Sequence, residues 1–309
     1  MTNLDESVFI TGASGFLGSA LVRYLEEKNI RTLKLCRHTS GADIVSVKDI
    51  NEVAPEHLVN CSVVVHCAAR AHVMSDSSIN PLSEYRKVNV DGTLNLAKAA
   101  IDAGVKRFIF ISSIKAAGEL TYEGHSLSPS DTPMPDDPYG ISKLEAEIAL
   151  KKISESSGMD VVIIRPPLVY GPGMKGNLSS LLKLIQSGVP LPLGGIRNKR
   201  SLISLDNLVN AIYLSILEPV VGGEILHVSD DDDLSTTQIV ERLANSCGTQ
   251  VRLFPVPKIF FRLFLKLLGK DAVYDRIFSS LQVDVSKTKR VLNWNPMISV
   301  EEGFKRCCK

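Results

Sequence analysis

Short apolar runs alternate with stretches of helical spacing through the first two thirds of the chain. The run at 62–67, SVVVHC, has the near-continuous apolar character of a parallel strand that is buried on both faces. Similar runs predict strands at 8–11, 32–35, 43–47, 107–113 and 161–167. Apolar spacing of three to four residues predicts helices at 16–25, 81–103 and from about 138 onward. Together these elements predict an α/β fold with a doubly wound parallel sheet.

The first strand and the first helix are separated by the turn GASGFLG. Gly12 permits the tight turn, Gly15 lets the backbone approach a ligand, and Gly18 lets the helix pack closely on the strand. The helix N-terminus then faces an anion, so a dinucleotide diphosphate is the expected ligand, although a purely structural turn has the same spacing. The other residues expected along this diphosphate are Ser14, Phe16 and Leu17.

Further cofactor contacts are expected at the ends of the next strands. Arg37 follows the second strand, where an acidic residue selects NAD and an arginine can hold the 2′-phosphate of NADP. Arg37 therefore favours NADP, with a solvated surface arginine as the alternative. Asp49 and Ile50 lie where an adenine contact is expected, and Asp49 could equally cap a helix that starts near Asn51. The small residues after the fourth strand, which let a cofactor lie against the backbone, are Cys67, Ala68 and Ala69.

A candidate catalytic group begins at Tyr139 and Lys143. Four residues apart on a helix, their side chains share one face, so the ammonium can stabilise a phenolate and lower the pKa of the tyrosine. Ser113, at the carboxyl end of its strand, can hydrogen-bond the same substrate oxygen. These three residues predict a centre that interconverts an alcohol and a ketone.

Composition narrows the range of partners. The 309 residues carry 35 basic and 34 acidic side chains, a net charge of +1, which gives no general attraction for nucleic acid. The sequence shows neither a signal peptide nor an apolar run long enough to span a membrane, so we expect a cytoplasmic protein. The six cysteines lack paired spacing, which predicts free thiols and no metal site.

Three polar features of the sequence are expected to have structural and not catalytic roles. His66 is expected to be a packed core histidine, and Asn89, inside the helix at 81–103, is expected to hydrogen-bond a neighbouring strand or loop. The acidic run 230–233 is expected to be a solvated turn before a helix at Ser235.

The motifs GASGFLG, VVHCAA, VNVDGT, FIFISS, YGISK and RPPLVYGPG occur in this order. In these motifs the chain resembles the extended short-chain dehydrogenase/reductase family, in its sugar-nucleotide epimerase and dehydratase branch. The resemblance covers nearly the whole chain, as far as VDVSKTKRVLNWNP. It implies a Rossmann fold, a UDP-sugar substrate and a homodimer that forms through the helices at 81–103 and 138–157.

The resemblance also implies roles for individual residues. The three glycines of the loop bind the cofactor diphosphate, Tyr139 is the acid/base, Lys143 holds the nicotinamide ribose and Ser113 orients the substrate oxygen. Pro166 and Val169 contribute to the cofactor site. Asn177 and Arg200 match substrate-binding positions of the family, and Arg276 is a looser match.

We therefore expect two parts of the chain. Residues 1–170, with 202–229 returning to them, form the NAD(P)-binding Rossmann domain, and residues 171–201 and 230–309 form the smaller sugar-nucleotide-binding lobe.

Two reactions at C4 of a UDP-hexose or N-acetylhexosamine remain open. Arg37 and the segment SSIKAAGE favour a 4-keto reductase of surface-polysaccharide synthesis, whereas the alternative is a UDP-glucose or UDP-N-acetylglucosamine 4-epimerase that retains NAD. Dehydration is disfavoured because Ile114 and Lys115 stand where dehydratases of the family carry acidic groups. A cofactor-binding regulator without catalysis is the remote alternative.

The segment 258–270 combines four basic residues at intervals of four with apolar residues almost everywhere else. We expect a core-facing helix with a narrow wet edge, and contact with a membrane surface is the alternative hypothesis.

Overall fold

The computed structural model describes residues 7–37, 39, 41–71, 80–267 and 271–308. Its strands are β1 (Ser7–Thr11), β2 (Thr32–Cys36), β3 (Ile44–Ser46), β4 (Cys61–His66), β5 (Arg107–Ile111), β6 (Asp160–Arg165), β7 (Leu168–Tyr170), β8 (Leu191–Gly194), β9 (Leu202–Ser204), β10 (Ile225–His227) and β11 (Leu253–Pro255). Its α-helices are α1 (Phe16–Glu27), α2 (Pro81–Arg86), α3 (Gly92–Asp102), α4 (Pro138–Ser157), α5 (Asn177–Gln186), α6 (Leu205–Leu217), α7 (Thr236–Ser246), α8 (Lys258–Leu267), α9 (Asp271–Phe278), α10 (Ser286–Leu292) and α11 (Val300–Cys307).

A seven-stranded sheet forms the centre of the molecule, in the order β3-β2-β1-β4-β5-β6-β10. Every neighbouring pair of strands in it is parallel. The chain winds outward in one direction from β1 to β3 and in the other from β4 onward, which leaves a crevice at the carboxyl ends of β1 and β4. The predicted fold class, a doubly wound α/β Rossmann fold, is confirmed.

The alternation of side chains along β1 divides the core into two layers. Val8 and Ile10 pack on the face covered by α1 and α6, whereas Phe9 packs on the opposite face, which α3 and α4 cover. A strand that is covered on both faces needs apolar side chains at successive positions, which explains the runs in the sequence.

The later part of the chain forms a third apolar cluster, which includes Leu193, Val240 and Phe304. Two small parallel sheets, β7 with β9 and β8 with β11, accompany it. Strand β10 returns from this part of the sequence to pair with β6 at the edge of the central sheet.

The helix predicted at 81–103 contains an irregularity that the sequence pattern missed. Helices α2 and α3 are joined by a π-helical turn at Lys87–Asp91, so the prediction of one regular helix is wrong there. A π-helical turn adds one residue and rotates the following side chains, and such turns are frequent at functional sites.

Two of the six cysteines are not free thiols. Cys247, at the end of α7, and Cys308, just after α11, form a disulfide with a Cα–Cα distance of 5.3 Å. The prediction of free thiols is wrong for this pair, because α7 and α11 pack side by side in the third apolar cluster and bring together residues that lie 61 positions apart.

Helix α8 also differs from its prediction. Phe261 and Leu265 face the protein, but Ile259, Leu263 and Leu267 are exposed, so the expectation of a core-facing helix is wrong. The predicted basic segment continues to 270, and residues 268–270 lie outside the described residues. Within the described ranges, no helix is both long and apolar enough to span a bilayer.

Candidate active site

The loop between β1 and α1 is a close-packed cradle of backbone. Gly12 has a φ of +65°, and a Cβ placed there would lie 2.9 Å from the Ala68 amide nitrogen. A Cβ on Gly18 would lie only 2.1 Å from the Gly12 carbonyl oxygen. Both positions therefore exclude any side chain, and the helix begins directly against the turn.

The N-terminus of α1 faces the crevice and suits an anion. Gly15 is its N-cap and has no side chain to bond the first amides, and the first turn carries no acidic residue. The positive end of the helix dipole is therefore left for a negatively charged group. Ser14 is exposed here, and Phe16 and Leu17 are half-buried in the first turn of the helix.

The carboxyl end of β4 forms the other wall of the crevice. Cys67 and Ala68 are half-buried, Ala69 is exposed, and the Ala68 amide donates to the Thr11 hydroxyl at 3.1 Å. Burial raises the pKa of the Cys67 thiol to about 12, so this cysteine lines the crevice as a neutral group.

His66 lies beneath that wall and is buried. Its Nδ1 is 2.7 Å from the Thr11 hydroxyl and its Nε2 is 2.9 Å from the Thr93 hydroxyl. Burial, and next the charge of Lys143, lower the pKa of His66 to about 3. The prediction of a packed core histidine is confirmed.

The two residues expected near the adenosine have different surroundings. Arg37 is exposed directly after β2. Asp49 accepts hydrogen bonds from the amide and side chain of Asn51, at 2.9 and 2.8 Å, and thereby caps a short 3-10 helix at Ile50–Glu52. The capping interpretation of Asp49 is confirmed. Ile50 is half-buried against α3, where a Cβ on Gly92 would lie 2.5 Å from its side chain.

Ser113 and Tyr139 come together at the carboxyl end of β5. Ser113 caps a 3-10 turn at Ile114–Ala116, and Tyr139 is the second residue of α4 after Pro138. Their side chains are hydrogen-bonded, and this bond favours the phenolate. Asp137 caps α4 by accepting from the Gly140 amide at 2.6 Å, which fixes the first turn on which Tyr139 stands.

Desolvation is nevertheless the largest influence on the pKa of the Tyr139 phenol. Burial raises the pKa of Tyr139, and this effect outweighs the hydrogen bond from Ser113. The expected lowering of the tyrosine pKa is therefore wrong for the protein alone. Tyr85 lies against the same ring, with 6.0 Å between the ring centroids.

Lys143 is buried and turns toward β5. Its Nζ donates to the Ile111 carbonyl at 2.8 Å and lies 4.3 Å from the centroid of the Phe110 ring. Burial lowers the pKa of Lys143 to about 8, and the charge of Glu147 acts in the opposite direction. The ammonium thus stays mostly protonated at neutral pH on the side of α4 that carries Tyr139.

A buried charge pair beneath Lys143 was missed by the sequence analysis. Glu147 accepts from Nε of Arg165 at 3.0 Å and from its Nη2 at 2.5 Å, and from the Ser112 hydroxyl at 2.5 Å. Both side chains of the ion pair are at most 2% exposed. The i, i+4, i+8 spacing of Tyr139, Lys143 and Glu147 could have placed Glu147 on this face of α4, but not its pairing with Arg165.

Asn89 joins the wall after β4 to α4. Its side chain accepts from the Arg70 amide at 2.8 Å and donates to the Arg70 carbonyl at 3.1 Å and to the Ser142 hydroxyl at 3.0 Å. The expectation that Asn89 bonds a neighbouring loop is confirmed. The π-helical turn is the local structure that presents it.

Lys115, which stands in the segment SSIKAAGE and where dehydratases of the family carry an acidic group, also supports α4. Its ammonium pairs with Asp137 and lies 3.3 Å from Glu119. This pair ties the turn after Ser113 to the cap of the helix that bears Tyr139.

The candidate substrate residues fall in two places. Nη1 of Arg200 donates to the Arg276 carbonyl at 3.3 Å and to the Ser279 carbonyl at 3.1 Å, and burial, then the charge of Arg276, lower the pKa of Arg200. The two arginines are therefore neighbours. Asn177 is exposed at the first turn of α5.

Two other candidates follow β6. The Pro166 carbonyl accepts from the Ile114 amide at 2.9 Å, and Val169 is half-buried in β7.

The acidic run is not a wholly solvated turn. Asp230 is buried and accepts from the Tyr170 hydroxyl at 2.6 Å, from the Ser204 amide at 3.0 Å and from the Asn207 side chain at 2.7 Å. The prediction is wrong for Asp230 because its partners come from distant parts of the sequence. Ser235 caps α7, as expected.

The sheet order and the glycine loop define a dinucleotide-binding α/β protein. A family model for the NAD dependent epimerase/dehydratase family matches residues 8–228, and the chain belongs to this family. It is an NAD-dependent enzyme, and the resemblance stated from its motifs is confirmed.

Similar proteins refine this picture. The chain is 47% identical to a UDP-glucose 4-epimerase of Vibrio cholerae over 310 residues, which cover 98% of this chain and 94% of that protein. The dTDP-glucose 4,6-dehydratase of Streptomyces venezuelae with NAD bound has a similar structure, with a TM-score of 0.77, 26% identity and coverage of 98% and 95% of the two chains. The UDP-glucose 4-epimerase of Thermotoga maritima with UDP-glucose gives a TM-score of 0.75 at 24% identity, with coverage of 98% and 97%.

Proposed function

We propose that this protein is a UDP-hexose 4-epimerase that retains NAD. The observation that carries the proposal is the 47% identity to the Vibrio cholerae UDP-glucose 4-epimerase along nearly the full length of both chains. This proposal prefers the epimerase over the 4-keto reductase that Arg37 favoured.

The crevice fits NAD in shape and charge. The glycine loop leaves no room for side chains next to the uncapped N-terminus of α1, as close approach of a diphosphate requires. We assign the diphosphate to residues 12–18, the adenosine side to Arg37, Asp49 and Ile50, and the nicotinamide side to Cys67, Ala68, Ala69, Pro166 and Val169. When bound there, the nicotinamide would supply the reversible hydride acceptor that oxidation and re-reduction at C4 require.

Two side chains contact the substrate oxygen, and a third supports them. Tyr139 takes the proton of the C4 hydroxyl as that carbon is oxidised and returns it on reduction, while Ser113 hydrogen-bonds the same oxygen. Lys143 provides a buried positive charge on the same face of α4 and holds the nicotinamide ribose. Epimerisation requires that the 4-keto hexose presents its opposite face to the cofactor between the two hydride transfers. The other substrate contacts must therefore hold the nucleotide and not the hexose.

The nucleotide is assigned to the later part of the chain. Arg200 and Arg276 are neighbouring cations, which suits a diphosphate, and Asn177 adds a neutral polar contact. We propose residues 171–201 and 230–309 as the substrate-binding lobe, with residues 1–170 and 202–229 as the cofactor-binding domain.

A 4-keto reductase is the second candidate, and one observation favours it. The exposed residue directly after β2 is Arg37, where NAD-selective proteins carry an acid and NADP-selective ones can carry an arginine. A reductase releases its oxidised cofactor after each turnover, whereas a 4-epimerase reuses one bound NAD.

The nucleotide that the purified protein carries distinguishes these candidates. We expect acid denaturation to release NAD in near-equal amount to protein, and external NADPH to remain unconsumed during turnover. An empty protein that binds NADPH and consumes it would contradict the epimerase and establish the reductase.

We further propose that the enzyme is a cytoplasmic homodimer that pairs through α2, α3 and α4. Arg86 of α2 and Glu145 of α4 form an ion pair that joins two of these helices into one surface, on which Ile148 is exposed. Light scattering during size-exclusion chromatography should give twice the mass of one chain for the wild type. The variant Ile148→Asp should give the mass of a single chain. A monomeric wild-type protein would contradict this assembly.

A further inference from the structure

Helix α8 has three distinct faces. Phe261 and Leu265 are one turn apart and pack inward, Phe261 against Phe278 of α9 with 5.2 Å between ring centroids. At about 100° per residue, Ile259, Leu263 and Leu267 form a row on the far side of the helix. Lys258, Arg262 and Lys266 form a third row, beside the outer apolar row.

The outer apolar row and the neighbouring Phe260 are exposed to an unusual degree. Ile259, Phe260, Leu263 and Leu267 are 71%, 64%, 57% and 79% exposed. A single exposed apolar side chain is ordinary on a protein surface, but four large ones on two turns of one helix form a contiguous patch. Such a patch indicates a surface that binds another protein or a membrane.

Two members of the basic row contact aromatic rings of α9. Lys258 lies over the ring of Phe278, at 5.9 Å, and Arg262 over the ring of Tyr274, at 5.7 Å. Among the side chains that the structure describes, no carboxylate forms an ion pair with Lys258, Arg262 or Lys266. The cations thus remain available to an anionic partner next to the apolar patch.

We propose that α8 docks this enzyme on the surface of a membrane that contains anionic phospholipid. Its outer apolar row enters the boundary between headgroups and acyl chains, and the basic row contacts the phosphates. A second copy of the chain fits less well, because a two-fold contact through α8 would place the basic row against a helix that carries no acidic residue.

The docking helix adjoins the candidate substrate residues. Helix α9 packs on α8 through Phe278 and also carries Arg276, whose carbonyl bonds Arg200. Docking would therefore hold that part of the enzyme near the membrane. The proposal rests on the side chains of α8 and not on the reaction, so it stands or fails separately from the epimerase assignment.

Flotation with vesicles tests the proposal directly. We expect the wild-type protein to float with vesicles of phosphatidylcholine and about 30% phosphatidylglycerol at low salt, and to remain unbound with phosphatidylcholine alone. The double variant Ile259→Gln/Leu263→Gln should lose at least tenfold in partitioning, and so should Lys258→Gln/Lys266→Gln.

Matched controls separate this effect from general surface changes. Met134→Gln/Leu184→Gln removes two exposed apolar side chains elsewhere, and Arg23→Gln/Lys106→Gln removes two exposed cations outside the proposed dimer surface. Both should bind vesicles like the wild type, and all four variants should keep the wild-type circular dichroism and turnover of a soluble substrate. A wild-type protein that does not float, equal losses in the controls, or a change of oligomeric mass in the Ile259/Leu263 variant would overturn the proposal.

Discussion

At the scale of single residues, Tyr139 carries the proposed chemistry. Replacement by phenylalanine keeps the ring that packs against Tyr85 and removes only the proton-transfer group. We expect Tyr139→Phe to lower turnover by roughly 10²- to 10⁴-fold, because general acid–base groups contribute about that much, with NAD affinity unchanged. Steady-state rates and cofactor titration check this, with the exposed Tyr122→Phe as the matched control. Turnover that survives the Tyr139 change would remove the phenol from the mechanism.

Glu147 is a positioning residue at the same scale. Glu147→Gln leaves Arg165 buried without its counter-charge, which should cost about 3 kcal/mol in the free energy of unfolding, measured with urea. It also removes the charge that supports the Lys143 ammonium, so the pKa of Lys143 should fall below about 8 and the alkaline limb of the kcat profile should move to lower pH.

Glu145→Gln is the control on the same helix. Its partner Arg86 is half exposed, so this change should cost no more than about 1 kcal/mol and leave the pH profile in place. Equal effects of the two changes would contradict the role given to Glu147.

At the scale of elements, the disulfide ties α7 to α11. It closes a loop between residues 61 positions apart, and chain-entropy arguments give such a cross-link up to about 4 kcal/mol. We expect alkylation without reductant to modify Cys36, Cys61, Cys67 and Cys307 after denaturation but to spare Cys247 and Cys308, and reduction to lower Tm. Six modified cysteines in unreduced protein would contradict the cross-link.

The elements that the sequence predicted well are those whose pattern follows from local burial. The strand 62–67 is apolar at nearly every position because the sheet is covered on both faces, and its position was predictable from that alone. The π-helical turn before Gly92 was not predictable from the sequence, because it is a local change of backbone pitch that leaves the apolar spacing almost intact. The prediction for helix α8 failed for another reason. Its strong apolar character indicates burial, but its outer apolar row is exposed.

The same contrast holds within the candidate site. The glycine spacing and the pair Tyr139 and Lys143 are visible because the partners are close in sequence. Asp230 with Tyr170, and Glu147 with Arg165, join residues from different elements, and no local pattern indicates such a meeting.

At the scale of the whole molecule, two buried histidines link stability to pH. Burial lowers the pKa of His66 to about 3 and that of His227 to about 4, whereas both are near 6.5 in an unfolded chain. The unfolded state therefore binds more protons below about pH 6.5, and stability falls as the pH falls, by up to roughly 1.4 kcal/mol per pH unit for each histidine. Urea unfolding between about pH 7 and pH 5 measures this slope.

A single variant isolates the contribution of His227 to the pH dependence of stability. His227→Gln should flatten the slope by about half, whatever its effect at neutral pH. Buried Asp230, whose pKa burial raises, acts in the opposite direction near its ordinary range and is common to the wild type and the variant. An unchanged slope in His227→Gln would show that this ring is not the group that titrates.

The stereochemistry at C4 of the product decides whether this enzyme is a 4-epimerase. Purified protein is mixed with UDP-glucose, and separately with UDP-N-acetylglucosamine, without added cofactor, and the sugar nucleotides are followed by proton NMR. We expect one or both to convert to the galacto epimer until a constant ratio is reached, and the reverse reaction to reach the same ratio. If neither sugar changes while added NADPH is oxidised in the presence of a UDP-4-keto sugar, the 4-epimerase assignment is wrong.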